Sequence, residues 1–347
     1  MDVRMVREPG TSPNEPIFVT GSARSGTTLF TRLLDGHPSL LVFPIELKYF
    51  RYRDIPTAYP ASKLAALSEP RDIIQAIVDS PYLRPLLGEA DTVGRRDEVL
   101  EAVRRAVDAD VFRAALQPLD GIASHRDAIS HFFEALLEGL GRRRTDLDSI
   151  RFVEKTPLQE ENVHELRRWF PGARFVHLVR NPYAVAVSER KRTELGITKI
   201  HVIRWQQSSL EYALENARSL GESSYRIIRF EDLVSDPERT MRGAAEFLGI
   251  DDHPILRAPT VLGAPWGGNS STTSTRFDGV ARSVAENWRG ALLPMEVMAV
   301  NRFVGDLMSE FGYDRLPWPP LHHVAKGFRH PKAILRNSWR LIRRSNR

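Results

Sequence analysis

The stretch FVTGSARSGTTLF, residues 18–30, decides the fold. A short apolar run from Pro16 to Thr20 leads into a glycine loop, and an apolar helical pattern from Thr27 to Asp35 follows, with Gly36 as its C-cap. This order is typical of a phosphate-binding loop, because backbone N–H groups and the positive end of the helix dipole meet at one point. The stretch therefore predicts an anion site at the end of a buried strand. The alternative is a Ser/Gly turn that simply caps the helix.

The loop lacks the lysine of a nucleotide-hydrolysing loop. Gly21 to Thr28 fits the frame G-x-x-x-x-G-x-[ST], but Thr27 stands where a lysine would reach the β- and γ-phosphates. The cation of the loop is Arg24, whose planar fork suits a pair of phosphate or sulfate oxygens. Further contacts to the anion are expected from Ser25, Gly26, Thr27 and Thr28. The loop thus predicts a phosphate or sulfate ligand that does not need the lysine.

Further strands and helices alternate along the chain. Three more apolar runs are typical of buried strands, namely IRFVEK (150–155), ARFVHLV (173–179) and YRIIRF (225–230). Alternation of strands with helices favours a parallel sheet whose ligands bind at the carboxyl ends of the strands. The predicted fold class is α/β, a P-loop-like three-layer fold with a central parallel sheet. A large helical insertion is expected at about 50–148.

A second candidate for anion binding lies downstream of the loop. Arg180 ends an apolar strand, and Ser188 lies about two turns into the helix that follows, so both can face one side of the element. An arginine and a serine at this spacing are weak evidence alone, since a surface arginine and an ordinary helix serine satisfy it. Their position after a strand favours joint binding of one phosphate.

Composition limits the function classes. The 347-residue chain has no cysteine, which excludes disulfides, iron–sulfur clusters and thiolate metal sites and fits a reducing cytoplasm. Residues 1–15 contain no apolar signal core and are expected to be flexible, and no apolar run is long enough to span a bilayer. We therefore expect a cytoplasmic protein.

The net charge of +5 is unevenly distributed. Residues 322–347 carry eight Lys/Arg and no acid, and the rest of the chain has 41 basic against 44 acidic residues. This distribution argues against nucleic-acid binding by the body of the protein. Residues 321–347 are predicted to form a basic amphipathic tail. Such a helix either contacts the inner face of an anionic membrane or packs on the body through its apolar stripe.

Five segments carry a resemblance to a known family: GSARSGTTLFTRLLDGHPSLL, EKTP, RFVHLVRNPYAVAVS, RFEDLVSDPE and NWRGAL. In them the sequence resembles the sulfotransferase superfamily, which uses 3′-phosphoadenosine-5′-phosphosulfate (PAPS). The RSGTT form looks most like the carbohydrate, tyrosylprotein and bacterial branch. The first and third segments together are specific, whereas the last two alone are not. The segments extend from about residue 16 to residue 292, so a single domain is expected over 16–320.

The resemblance implies a role for each anion-binding group. Arg24 would contact the 5′-phosphosulfate, and Arg180 with Ser188 would hold the 3′-phosphate. This donor has no γ-phosphate and the family needs no magnesium, so the missing lysine is explained and no metal is expected. The Gly- and Ser/Thr-rich segment 266–280 is either a flexible loop or a lid whose donors to PAPS are Ser270, Ser271 and Arg276.

Transfer to a hydroxyl also requires a base. In the tyrosylprotein branch a glutamate follows the loop helix, and Glu46 is the candidate here, with His37 as the alternative by analogy with the phenol branch. Lys155 of EKTP would stabilise the transferring sulfuryl oxygens, unless it merely pairs with Glu154. The acceptor is expected to be a sugar, a lipid or glycolipid, or another small molecule. The alternative functions are a P-loop kinase or NTPase and a non-catalytic nucleotide- or membrane-binding protein.

Overall fold

Five short strands form a parallel sheet in the computed structural model of the chain. The structure describes residues 15–52, 67–89, 97–143, 145–146, 149–192, 200–268 and 285–320. The strands are β1 (Ile17–Thr20), β2 (Leu40–Val42), β3 (Arg151–Lys155), β4 (Arg174–Val179) and β5 (Tyr225–Arg229). Their order is β2-β3-β1-β4-β5, which places β1 and its loop in the centre of the sheet.

Helices connect the strands and cover the sheet. They are α1 (Thr27–Leu34), α2 (Pro70–Val78), α3 (Asp97–Ala106), α4 (Ala109–Leu116), α5 (His125–Gly139), α6 (Val163–Trp169), α7 (Pro182–Arg192), α8 (Ile200–Leu220), α9 (Phe230–Ser235), α10 (Pro237–Leu248) and α11 (Pro294–Phe303). A separate antiparallel pair consists of β6 (Thr260–Val261) and β7 (Ala264–Pro265). Short 3₁₀ helices occupy Tyr49–Tyr52, Glu160–Asn162, Pro254–Arg257, Arg289–Ala291 and Gly305–Phe311.

The two faces of the sheet bury different sets of side chains. Successive residues of a strand point to opposite faces, and on β1 the Phe18 ring packs with the helical insertion while Ile17 and Val19 pack against α1 and α10. Strand β2 divides in the same way, with Leu41 on the first face. Two apolar cores therefore enclose the sheet, which confirms the predicted three-layer α/β fold.

Helices α2 to α5 form the helical part between β2 and β3. Helix α5 begins with a capping box in which the Ser124 hydroxyl accepts from the Asp127 amide and the Asp127 carboxylate accepts from the Ser124 amide. Its rings Phe132 and Phe133 are fully buried. These two phenylalanines therefore belong to the core of the insertion.

A third core packs beside the sheet and supports α7. It combines residues of α7, α8, α11 and the 3₁₀ helix Gly305–Phe311. Within it, the Trp288 ring stacks on Tyr183 of α7 with a centroid distance of 5.6 Å. Trp288 therefore serves packing, and it supports the helix that carries Ser188.

Within the parallel sheet, strand β2 is the strand that the sequence pattern did not predict. It has three residues, Leu40, Leu41 and Val42, directly after the turn at His37. A run of three residues is too short to show an alternation of apolar and polar side chains. It forms a strand because each of its residues pairs with β3, from Leu40 beside Arg151 to Val42 beside Val153. The strand matters for the site because Glu46 follows four residues after it.

Candidate functional site

The glycine loop is pressed against two neighbouring elements. Gly21 has φ 137° and Gly26 has φ 100°, a region that side chains disfavour. A Cβ on Gly21 would lie 2.3 Å from the carbonyl oxygen of Leu178 in β4, and one on Gly26 would lie 2.4 Å from the Phe230 ring. Both glycines are therefore required by conformation and by space, as expected of a loop that lets a ligand approach the backbone.

Internal hydrogen bonds hold the loop in shape. The Ser25 hydroxyl and amide both donate to the Ser22 carbonyl oxygen, at 2.7 and 3.2 Å. The buried Glu160 carboxylate accepts from the Gly21 amide at 3.3 Å and from the Thr20 hydroxyl. The side chain of Ser25 thus stabilises the loop itself in this structure. Glu160 was not identified from the sequence, since a glutamate five residues past β3, with a second glutamate beside it, gives no signal.

The open side of the loop faces the start of α1. Gly26 is the N-cap residue, and Thr27 and Thr28 open the helix. The first amides of a helix have no acceptor within it. Together with the positive end of the dipole, these amides can bind an anion, and the anion site predicted from the sequence stays a prediction.

Arg24 joins the two predicted anion elements. Its backbone is in the left-handed region, with φ 72°, and its Nε donates to the Ser188 Oγ at 2.9 Å. Arg180 reaches the same place from the end of β4 and donates from Nη1 to the Arg24 carbonyl oxygen at 3.1 Å. The structure therefore brings together the loop cation, Arg180 and Ser188, although 156 residues separate Arg24 from Arg180.

The surroundings of Arg180 fix its guanidinium. The group lies 4.2 Å from the centroid of the Phe230 ring, a cation–π contact. Burial lowers the pKa of Arg180 to about 10, against the opposing charge of Glu231 and with repulsion by Arg24 adding to the shift. Arg180 thus stays cationic at neutral pH. Two cations at such close range favour an anionic ligand between them.

Glu231 supports this corner. Its carboxylate accepts from the Asn181 amide at 3.0 Å and from the Tyr313 hydroxyl at 2.7 Å. It therefore ties the turn after β4 to the start of α9 and to the C-terminal part of the described chain. The sequence offered a signal for Glu231, the RFEDL segment, but no role could be assigned to it there.

A second cluster contains the candidate base. The Lys155 Nζ donates to Glu46 Oε1 at 2.7 Å, and Lys48 Nζ lies 3.2 Å from Glu46 Oε2. Burial opposes ionisation of this carboxyl, but the two lysines outweigh it and lower the pKa of Glu46 to about 2. The Glu46 side chain is still 29% exposed, so an acceptor hydroxyl can approach it. Lys48 was not singled out from the sequence.

Lys155 pairs with Glu46 although Glu154 is its neighbour in sequence. The Glu154 carboxylate is buried and accepts from the Thr156 hydroxyl at 2.6 Å and from the Gln159 amide at 2.7 Å. Burial raises the pKa of Glu154, and these hydrogen bonds and the charge of Lys155 oppose the rise. Adjacent residues of a strand point to opposite faces. The Lys155 side chain therefore points away from that of Glu154, and its ammonium pairs with the Glu46 carboxylate.

Both clusters lie on the carboxyl edge of the sheet. Lys155 ends β3 beside Val19 of β1, and Arg180 follows β4, the other neighbour of β1. Parallel strands end at one edge, so the loop after β1 lies between the Glu46–Lys155 pair and Arg180. This arrangement places a carboxylate and an ammonium next to an anion site.

His37 lies apart from this edge. It follows the C-terminal end of α1, whereas the anion site is at the N-terminal end. Its Nε2 contacts the Asp251 carbonyl oxygen at 3.0 Å, and its Nδ1 accepts from the Ser39 amide at 3.2 Å. The ring is buried, and burial lowers the pKa of His37. Both nitrogens thus hold the turn before β2, and the structure does not support His37 as the base.

Some predicted features lie outside the described residues. Ser270, Ser271 and Arg276 belong to residues 269–284, and the basic tail to 321–347. Their assignments stay predictions. Within the described ranges there is no group of three or more His, Asp or Glu side chains that could hold a metal ion. No helix in the same ranges is long and apolar enough to cross a membrane.

Comparison with known proteins shows one family. The model of the sulfotransferase family matches residues 16–254. Protein-tyrosine sulfotransferase 2 from Gallus gallus is 23% identical over 333 residues, 93% of this chain and 74% of the relative. Carbohydrate sulfotransferase 2 from Homo sapiens is 30% identical over 98 residues, 28% of this chain and 18% of the relative.

The fold is also found in a solved structure. The sulfotransferase domain of the olefin synthase from Synechococcus PCC 7002 superposes with a TM-score of 0.54 at 21% identity, over 89% of this chain and 98% of that domain. The family match covers the glycine loop, the Glu46–Lys155 pair, Arg180 and Ser188. The chain belongs to the sulfotransferase family and is a PAPS-dependent sulfotransferase.

Proposed function

We propose that Arg24, Arg180 and Ser188 hold the phosphates of PAPS and that Glu46 and Lys155 carry out transfer to an acceptor hydroxyl. The observation that carries this proposal is the Glu46–Lys155 pair next to the loop, on the strand beside β1. Arg24 contacts the 5′-phosphosulfate, and Arg180 with Ser188 holds the 3′-phosphate. The amides and hydroxyls of the loop complete the site at Ser25, Gly26, Thr27 and Thr28.

The proposed step is an in-line displacement at sulfur. The acceptor oxygen forms a new S–O bond while the bond from sulfur to the bridging phosphate oxygen breaks. Glu46 takes the acceptor proton, and the electron pair of the broken bond stays on the leaving group, adenosine 3′,5′-bisphosphate (PAP). Lys155 stabilises the sulfuryl oxygens, and Arg24 stabilises the departing phosphate oxygen. The products are an O-sulfate ester and PAP.

Calorimetric binding of PAP and of ATP, with divalent metals chelated, tests the donor site. We expect PAP to bind more tightly than ATP, because Arg180 and Ser188 recognise a 3′-phosphate that ATP lacks. Arg180→Ala should weaken PAP binding at least about tenfold, as expected for loss of a charged hydrogen bond. Arg168→Ala, which removes an exposed arginine of α6, is the matched control. A preference for ATP would contradict the proposed 3′-phosphate site, and equal PAP affinity in wild type and Arg180→Ala would contradict the role of Arg180.

The acceptor is proposed more broadly. The relatives are named for transfer to protein tyrosine and to carbohydrate, so the common requirement is a hydroxyl. We propose a sugar, lipid or glycolipid, or other small-molecule hydroxyl as acceptor, and transfer without a metal. A screen of these three classes with labelled PAPS in the presence of a chelator tests both statements. Activity that appears with added magnesium alone would contradict the second.

We also propose a cytoplasmic enzyme whose basic tail contacts anionic lipid. The cysteine-free composition and the eight Lys/Arg of residues 322–347 support this. Sedimentation with vesicles that contain phosphatidylserine, compared for the full chain and for a chain ending at residue 320, tests the tail. Equal sedimentation of both chains would contradict the membrane contact.

A further inference from the structure

The single negative charge of Glu46 is in contact with two positive charges. One carboxylate lies between two ammonium groups, Lys155 on Oε1 and Lys48 on Oε2. These are the charged groups that face it among the described residues, Lys155 from β3 and Lys48 from the loop that carries Glu46 itself. Glu154 lies behind that loop and accepts from the Leu47 amide, and Tyr82 contacts Lys48. One ammonium can therefore leave without making the remaining pair negative.

The two lysines differ in what else holds them. The Lys48 ammonium lies 3.7 Å from the centroid of the Tyr82 ring, and the Lys48 amide donates to the Thr156 hydroxyl at 3.1 Å. Its backbone is in the left-handed region, with φ 55°. Lys155 instead ends β3 and lies beside Val19 of β1. Val19 precedes Gly21, the first residue of the phosphate loop, by two residues. Lys48 is anchored in place, whereas Lys155 borders the position of the donor.

Resting on the proposed function, we infer that Lys155 changes partner when the donor binds, from the Glu46 carboxylate to the sulfuryl oxygens. Lys48 remains on Glu46 as a positioning residue that keeps the carboxylate ionised and aimed at the acceptor. The exchange makes the base donor-dependent. A carboxylate that holds two ammonium groups has little tendency to take a proton, and one that has lost the nearer of them has more.

The direction of the associated proton shift follows from the charges. With both lysines present, the pKa of Glu46 is about 2. Departure of Lys155 raises it toward the ordinary carboxyl value, and Lys48 limits the rise. If Lys48 were also absent, burial would raise the pKa of Glu46 above its ordinary value. Donor binding should therefore be accompanied by proton uptake at acidic pH.

This uptake can be measured without an acceptor. PAPS and PAP are titrated calorimetrically into the protein in two buffers of different ionisation enthalpy, near about pH 4.5 and near neutral pH. The PAPS-minus-PAP difference in protons bound is the readout, because the sulfuryl group is the part that PAP lacks. The 5′-phosphate of PAP also binds protons. The PAPS-minus-PAP difference measured with Glu46→Gln, which lacks the carboxyl, is therefore the baseline.

The expected pattern distinguishes the two lysines. Wild type should take up an excess over the baseline of at most about half a proton per PAPS near pH 4.5, because Lys48 keeps the pKa of Glu46 at or below its ordinary value, and the excess should vanish near neutral pH. Lys48→Gln should extend the excess toward neutral pH while its affinity for PAP stays unchanged, and Lys48→Arg should restore the wild-type pattern. Lys191→Gln, at an exposed position of α7, is the matched control.

The outcomes separate this inference from the proposed function. Failure of wild type to bind either nucleotide would overturn the proposed donor site. Normal binding with no excess over Glu46→Gln would overturn the exchange of Lys155 alone. An excess that is the same in wild type and Lys48→Gln would overturn the role of Lys48.

Discussion

The residue with the largest consequence for chemistry is Glu46. It combines partial exposure, two lysine partners and a position next to the phosphate loop. None of these properties belongs to the glutamate alone. A carboxylate becomes useful as a base through the groups that set its charge and through the access of the acceptor.

Glu46→Gln should lower kcat by between about 10²- and 10⁴-fold, because an amide cannot take the acceptor proton. Its affinity for PAP should remain close to that of wild type, since Glu46 faces the acceptor side. Steady-state kinetics on an acceptor found in the screen, together with PAP calorimetry, measures both. Glu215→Gln, at an exposed position of α8, is the control. Full activity in Glu46→Gln would assign the base to another group.

The same residue gives a prediction for stability against pH. The folded-state pKa of Glu46, about 2, is lower than its ordinary value of 4.5. Its ionised form therefore stabilises the fold above about pH 4.5, and this contribution is lost as the pH falls toward 2. Thermal denaturation between these values should show a smaller acid-induced drop in Tm for Glu46→Gln than for wild type. Identical pH profiles would contradict the lysine clamp on this carboxylate.

At the scale of the element, the strand–loop–helix unit from β1 to α1 depends on contacts with other elements. Its turn is held by Glu160 from beyond β3, and it rests on β4 and on Phe230 at the start of α9. The loop is therefore preorganised by the surrounding fold, and it does not have to become ordered when the donor binds.

Gly21→Ala should damage both this unit and donor binding. The new Cβ would lie 2.3 Å from the Leu178 carbonyl oxygen at φ 137°, so the loop must shift. We expect a loss of about 1–3 kcal/mol in unfolding free energy and a clear loss of PAP affinity. Urea denaturation and calorimetry measure the two effects. Gly121→Ala, where a Cβ would meet nothing within 4 Å, should change neither.

At the scale of the whole molecule, the site depends on packing far from the sheet edge. Ser188 lies on α7, and α7 is fixed to α11 by a pair between Arg190 Nε and Glu296 Oε1 at 2.7 Å. The Glu296 side chain is 4% exposed and Arg190 is 17% exposed, so the carboxylate is buried and the guanidinium is partly buried. The position of Ser188 is thus set partly by a helix that begins more than a hundred residues later.

Glu296→Ala should lower the unfolding free energy by about 3–5 kcal/mol, because it leaves the Arg190 charge buried without its carboxylate. PAP binding should weaken as α7 loses its support. The exposed pair between Arg289 and Glu286 provides the control, and Glu286→Ala should cost at most about 1 kcal/mol. Urea denaturation of both variants decides. Equal, small losses would show that α7 is held by its apolar contacts alone.

Local patterns were sufficient where one stretch contains the whole signal. The phosphate loop, four of the five sheet strands and the Arg180–Ser188 pair were predicted in this way, since a buried strand followed by a glycine loop and a helix is encoded in consecutive residues. The family relationship was recognised on the same segments. The domain limits at 16–320 and the lid residues stay predictions.

Tertiary structure decided everything that depends on which distant residues meet. Strand β2 forms because β3 pairs with it, and Lys155 pairs with Glu46 because the sheet edge brings them together. Glu160 acts on the loop through Gly21, more than a hundred residues away, and Lys48 pairs with Glu46 across a turn. The sequence by itself determined the glycine loop and the order of the elements around it, because those follow from local periodicity and glycine placement. The charge state of Glu46 was set by the fold, because electrostatic interactions depend on distance in space and on burial.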